Sequence, residues 1–562
     1  MRTRTTLNAL AIVCLLSIQS LFAQNPTFEW ANKMGGVLTD IPRSIAVDAS
    51  GNVYSTGYFQ GTVDFDPGAG TTNLISAGLR DIYIQKLDAN GNLLWVKQIE
   101  ATLNCNGYGI TVDASGNVFT TGNFEGTADF DPGAGAANLT SVGGYDVFIQ
   151  KLDVNGNFLW VKQIGGNSTD SSVSIALDAS GNIFTSGKFK ETVDFDPGVG
   201  VLNLTSLGGF DLFIQKLDAN GDFLWAKRMG GTSHDLNEGM AIDASGNVLT
   251  TGFFSYTADF DPGVGTANLT SAGLRDIYIQ KMDANGNFLW AKQIGGTAYD
   301  AGTSITVDAS GNVFTTGIFQ DTVEFDPGIG TAILISPGSY DSYVQKLDAN
   351  GNFLWVKQMT GTSGVYSYAI ALDVSGNIYT TGSFKLTADF DPGAGTANLT
   401  SLGVSNSFVL KLDANGDFIW VGHIAGTSSL TAYSMVVDDF SNIYTTGPFQ
   451  GSVDFDPGTG TANLTNVGNN DIFVLKLSQC NPTTHTPDVA SLPDVTGQCS
   501  VAIPTAPTAN NGCGTTFIGT TTTTFPIMAQ GTTTVTWIYD DGNGNTSTQT
   551  QDVVITDATA PL

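Results

Sequence analysis

Paired carboxylates recur along this chain at a fixed interval: Asp64/Asp66, Asp129/Asp131, Asp194/Asp196, Asp259/Asp261, Glu324/Asp326, Asp389/Asp391 and Asp454/Asp456. Residues two apart on an extended segment point the same way. Each pair therefore offers hard oxygen donors side by side, and the turn carbonyls of the FDPG segment that follows can add more. That is calcium chemistry, since Ca²⁺ takes about six to eight oxygens. The same residues also suit a plainer role, in which each Asp accepts hydrogen bonds from the N–H groups of its own turn. Both readings stand at this stage. No carboxylate closes the set at EF-hand spacing. The DANGN turns (Asp88, Asn90 and Asn92 in the first) resemble half a calcium loop, but Asn-Gly hairpin chemistry accounts for them without metal.

Other catalytic chemistry finds little support. The three histidines, His234, His423 and His485, have no clustered partner at metal-ligand spacing. There is no G-x-S-x-G elbow and no phosphate-binding glycine loop. Carboxylates are abundant enough for glycoside hydrolysis. A ring of near-identical acids, however, lacks the asymmetry that tunes one acid against another. The chain is read as non-catalytic, with no cofactor other than the calcium alternative.

The elements that position these residues follow from a 65-residue period. Trp30, Trp95, Trp160, Trp225, Trp290, Trp355 and Trp420 keep it, as do the FDPG motifs from Phe65 to Phe455 and the DASGN turns from Asp48 to Asp438. One Trp per unit at a fixed strand position implies structural packing; a carbohydrate-stacking platform would need exposed rings. In the first unit, residues 44–48, 53–59, 81–87 and 92–98 read as strands. ASGN and Asn90–Gly91 make the turns, and Pro and Gly interrupt the long second-to-third connection. The last unit lacks its Trp strand, while an unmatched one stands at 28–34. Pairing 28–34 with 471–477 completes the count and hides the edges. The fold class expected is all-β: a closed seven-bladed β-propeller of four-stranded blades with N-terminal strand closure, plus a small C-terminal β-sandwich. The FDPG inserts are expected to form a seven-fold acidic crown on one face.

Residues 1–23 read as a signal peptide, with Arg2 and Arg4 before the apolar run 7–18 and a small residue at Ala23. Without it the chain has 52 acidic and 20 basic residues, a net of −32. Such a charge argues against nucleic acid and against anionic membranes as partners. No later segment is long and apolar enough to insert directly in a membrane. Of the five cysteines, Cys14 leaves with the leader. Cys105, Cys480, Cys499 and Cys513 allow three pairings, too few to hold so long a chain.

The pattern IAVDASGNVYSTGYF…DIYIQKLDANGNLLW resembles the bacterial seven-bladed β-propeller repeat family, SBBP, and more distantly the NHL-type propellers. The resemblance covers about 455 residues, 24–478. It implies a propeller with the first strand lining the central channel and the Trp strand outermost. It implies an extracytoplasmic location and no particular reaction. Residues 479–498, rich in Pro, Thr and Ser, read as a linker. Residues 499–562 contain CSVAIPTAPTANNGCG and a hairpin, TVTWIYDDGNGNTSTQ, and resemble the HYR (hyalin-repeat) type of immunoglobulin-like module. That resemblance implies a Cys499–Cys513 disulfide. The further cysteine such modules carry is missing from Thr548 to Val553. The chain stops at TDATAPL, which reads as a truncated or abbreviated module.

Departures from the repeat stand out against so regular a background. Cys105 replaces the Asp found at 40, 170, 235 and 300; Arg80 and Arg275 precede third strands; Asn406 replaces an Asp at a third-strand start. The functional expectation is a secreted or cell-surface binding or structural protein. Its propeller acts as a monomeric, rigid, multivalent scaffold, of adhesive type, that meets an extracellular protein or glycan surface. The alternatives are a calcium-stabilised scaffold and a carbohydrate-binding or polysaccharide-active enzyme.

Overall fold

A computed structural model describes residues 26–479, 485–510, 516–540 and 546–556; the leader 1–23 lies outside them. Each 65-residue unit contributes four main strands. In the first these are Ile41–Val47, Val53–Phe59, Asp81–Leu87 and Leu93–Ala101, in antiparallel order from the inner edge outward. The two middle strands are buried along their whole length, because neighbouring sheets cover both of their faces. Their polar residues are accordingly satisfied internally: the Thr56 hydroxyl donates to the Tyr83 carbonyl at 2.8 Å. Gly57 is required by closeness, since a Cβ there would lie 2.0 Å from the Ile41 carbonyl oxygen.

The FDPG insert does more than loop over one face. Its ends form two short strands, Thr127–Asp129 and Asn138–Thr140 in the second unit. They add as a hairpin to the outer edge of the preceding sheet, with Asp129 opposite Glu100 and Ala128 opposite Ala101. The expectation of a closed seven-bladed propeller with four-stranded blades is corrected by this finding. Six of the propeller sheets are six-stranded, each with two strands borrowed from the next unit. The exception is the sheet Leu236–Ile242 to Phe288–Ile294, which has four strands and touches its hairpin through a single Gly295–Glu324 bridge. Every sheet is open, with an inner and an outer edge strand, and none closes on itself. The sequence signal for the extra strands was weak because each is three residues long and flanked by Pro and Gly.

What runs around the axis is packing. Each inner strand packs on the next, from Ile41–Val47 through to Ser434–Val437, which in turn packs on Ile41–Val47. The Ile45 N–H donates to the Ser434 hydroxyl at 3.3 Å across that last contact. At the periphery, strand Thr27–Gly36 pairs antiparallel with Asp471–Ser478, Ala31 opposite Leu475. Its far end also carries the first unit's hairpin, Gly35 opposite Asp64. The hydrophobic cores lie between successive sheets. In each, the FDPG phenylalanine is fully buried, as Phe65 is against Phe59 and Tyr83.

The C-terminal part forms two three-stranded sheets around Val535, Trp537, Val553 and Ile555. Gly531–Asp540 and Thr546–Ile555 pair antiparallel; the turn between them lies outside the described residues. Thr486–Pro487 and Val495–Gly497, inside the stretch read as a linker, are strands of these sheets.

Candidate functional site

One oxygen of each paired carboxylate is engaged by its own loop. Asp64 Oδ1 accepts the N–H groups of Asp66 (3.1 Å) and Thr72 (2.8 Å), and Asp66 Oδ1 accepts that of Gly68 (2.8 Å). The other pairs repeat this pattern. The first acid of each pair accepts two backbone N–H groups through one oxygen: Asp129 from Asp131 and Ala137, Asp194 from Asp196 and Leu202, Asp259 from Asp261 and Ala267. Asp389 does so from Asp391 and Ala397, Asp454 from Asp456 and Ala462, and Glu324 from Asp326 and Ala332. The second acid caps the turn. Asp131, Asp196, Asp261 and Asp391 each accept the N–H of the glycine two residues on at 2.8 Å, and Asp326 and Asp456 do so at 2.7 Å.

In every pair one carboxylate oxygen of each acid accepts the loop's own N–H groups, because an extended acid-Phe-Asp-Pro-Gly segment leaves those donors without a strand partner. Among the described residues, no three His, Cys, Asp or Glu side chains gather as a metal-holding group. The loop so fixed points its tip outward: Val199, Val264 and Ile329 are fully exposed. In the DANGN turn, Asp88 Oδ1 accepts the N–H groups of Asn90 and Asn92.

The tryptophans do more than pack. The Trp30 indole N–H donates to the Ala89 carbonyl at 3.1 Å, and Trp95 does the same to Val154 at 3.2 Å; each bond joins a blade to the turn of the next. Most of these rings are half-buried, while Trp420 is buried and its N–H has no acceptor. The lysine of the QKL/QKM segment runs parallel to this link. Lys151 lies over the Phe119 ring and donates to the Ala219 carbonyl of the next blade at 3.2 Å. Lys476 of the last unit reaches the Ala89 carbonyl of the first. Sequence reasoning passed over these lysines, although their recurrence every 65 residues was visible.

Asp40, Asp170, Asp235 and Asp300 are buried where the outer strand of one blade turns into the inner strand of the next. The Asp40 carboxylate accepts the N–H groups of Gly36 and Gln60. Burial still outweighs those bonds and lifts the acids to about 6, 7, 6 and 7 respectively. A second buried acid adds to the effect: Asp471 beside Asp40, and Asp146 beside Asp170. Cys105 is buried in the corresponding place and its thiol is pushed well up by burial. Asn406 replaces the second acid in one unit and meets His423 Nε2 at 3.1 Å. His234 Nδ1 accepts the Phe210 N–H, and His485 stacks edge-on against Phe517. The histidines are dispersed. Cys499 is exposed; Cys480 and Cys513 lie outside the described residues.

The convergent site is on the axis. Six of the seven inner strands carry a β-bulge at their start, as between Pro42 and Ser44 or Gly107 and Gly109; the seventh, Ser434–Val437, begins just after the corresponding residue. A bulge re-aims one side chain. The residues at this point are Arg43, Tyr108, Val173, Glu238, Thr303, Tyr368 and Tyr433, spaced 65 apart. All seven line one cavity of about 470 Å³, joined by Lys188 and Phe253 from the second strands. That volume is in the range of small-molecule sites, about 300–1,000 Å³. The Arg43 guanidinium lies between the Tyr108 and Tyr433 rings, 5.6 and 5.2 Å from their centroids. Tyr433 meets Tyr368 edge-on. Glu238 stands on the opposite wall, open to the water of the cavity. Crowding by protein raises its carboxyl, and Lys188, Arg43 and Arg275 oppose that rise.

The β-propeller repeat family SBBP matches this chain at residues 94–123, 159–188, 289–317 and 354–383. Each stretch runs from a Trp strand through an inner strand into the strand after it. A WD repeat-containing protein of Acanthamoeba polyphaga mimivirus is 25% identical over 504 residues, covering 75% of this chain and 36% of that protein. The regulatory protein FlaEY of Caulobacter vibrioides is 22% identical over 252 residues, covering 43% of this chain and 25% of that protein. The chain thus spans about a third or less of the length of these relatives. Among solved structures, Sqt1 from Chaetomium thermophilum aligns with a TM-score of 0.37 at 10% identity, over 81% of this chain and 100% of that one. The WD40 propeller domain of Doa1 aligns at 0.35 and 13%, over 81% and 98%. The repeat match and the sheet order agree on an all-β, propeller-like repeat fold of SBBP type.

Proposed function

We propose that this chain is an extracytoplasmic, non-catalytic binding scaffold that meets an extracellular protein or glycan surface through many equivalent loops. One observation carries the reading. The FDPG loops are pinned by their own carboxylates and by a hairpin in the neighbouring sheet, yet their tips stand fully exposed. Rigid, repeated, exposed loops favour avidity, because each further contact forms at high effective concentration. The leader-like segment 1–23 supports placement outside the cytoplasm, and the 499–562 resemblance supports a HYR-type spacer beside the scaffold. Cosedimentation with intact bacterial cells and with purified extracellular polysaccharide tests the proposal. The protein should be retained, and charging the tips (Val199→Asp, Val264→Asp and Ile329→Asp together) should release it. Failure of the unaltered chain to sediment with either, or full retention of the triple variant, overturns it.

A further inference from the structure

We propose that the axial cavity is a binding site for a small carboxylate ligand, either a free organic acid or the C-terminus of a peptide. It is distinct from the loop-mediated contacts above and does not rest on them.

The first argument is where the repeat has diverged. The exposed loops keep Asp-Pro-Gly in all seven units, and Asp48 and its six equivalents are all Asp. These residues hold their turns by hydrogen bonds, which accounts for their constancy. By contrast, the bulge position changes residue class from unit to unit, from Arg43 to Val173 to Glu238. So does the second-strand position of Lys188, occupied by Tyr58 in the first unit and Phe253 in the fourth. Both positions face the cavity. Seven equal subunits of a ring have become one asymmetric wall, as a single ligand on the axis requires.

The second argument fixes the chemistry. In a chain of net charge −30, Arg43 and Lys188 line the cavity with Glu238, and Arg80 and Arg275 lie close enough to act on its lining residues Tyr108 and Glu238. None of these four cations is ion-paired among the described residues. Aromatic rings hold them instead. Arg80 lies 4.5 Å from the Tyr58 centroid, Arg275 4.3 Å from Phe253, and Lys188 5.2 Å from Phe210. Cations on the ring faces leave those faces poor platforms for a sugar. They leave the guanidinium edges free to donate, which is the geometry that carboxylates accept in pairs. Arg43 Nε is buried and has no partner.

Isothermal titration of the full chain tests this with three probes: glutarate, acetyl-Ala-Ala-Ala carboxylate, and the same peptide as its C-terminal amide. At least one carboxylate should bind, and the amide should not. Arg43→Gln should weaken binding about tenfold or more, and Arg275→Gln should weaken it less. Glu238→Gln should strengthen it by removing a like charge. Thermal melts identify any variant that fails to fold, and the remaining two then decide. Binding of the peptide but not glutarate assigns a chain end; the reverse assigns a free acid. Equal binding of amide and carboxylate overturns the proposal. So do no binding by either carboxylate, or unchanged affinity in folded Arg43→Gln and Arg275→Gln.

Discussion

Gly91 shows how much a single position in this repeat has to satisfy. Its φ of +83° is one that side chains resist, and a Cβ there would lie 2.9 Å from the Trp30 ring of the adjoining blade. Gly91→Ala should therefore cost on the order of 2 kcal/mol, combining backbone strain with displacement of the ring; urea unfolding measures it. The buried acids give a second prediction at this scale. Asp40, Asp170, Asp235 and Asp300 bind protons more tightly folded than unfolded, with folded values of about 6 to 7. Their contribution is complete below the ordinary carboxylate range and is lost as pH rises through 6 to 7. The turn acids behave oppositely. Burial raises Asp48, but its Asn52 partner and backbone N–H groups more than offset this, so its value is lowered and its stabilisation fails as pH falls below about 4. Melting temperature should climb from pH 7.5 to pH 5 and drop again below pH 4, as followed by scanning calorimetry.

At the scale of the strand, Thr27–Gly36 belongs to two partners, Asp471–Ser478 on one side and Thr62–Asp64 on the other. Deleting residues 24–36 should cost on the order of 5 kcal/mol or more, since a ladder, the Trp30 contact and the first unit's hairpin are lost together. A circular dichroism melt against the full chain reads this directly. The four main strands of each unit were legible because their turns, Asn-Gly and Ser-Gly, carry strong local chemistry. The hairpin of the insert was not: Thr62–Asp64 is placed by pairing with Gly35 and Gly36 of the preceding outer strand, Asn73–Ile75 only by pairing with Thr62–Asp64, and three residues carry no period. The axial site was half legible. Arg80 and Arg275 stood out as breaks in the repeat, but the bulge that turns Arg43 and Glu238 inward follows from a register shift that no residue pattern announces.

For the molecule as a whole, one oxygen of each loop carboxylate accepts backbone N–H groups, which predicts turns that hold without a metal. Adding calcium or EDTA should leave the melting temperature unchanged within about 1 °C on the scale by which stability shifts are read; a large fall with EDTA would restore the calcium-stabilised alternative. The interlocked hairpins bear on how such a chain can change its length. In six of the seven sheets, two strands are donated backward by the unit ahead. Unequal recombination that drops or duplicates 65 residues therefore moves donor and acceptor halves together, wherever the breakpoint falls. No orphaned edge results, and curvature alone resists a new unit number. Divergence at the axis can then persist while the strand framework is copied from unit to unit.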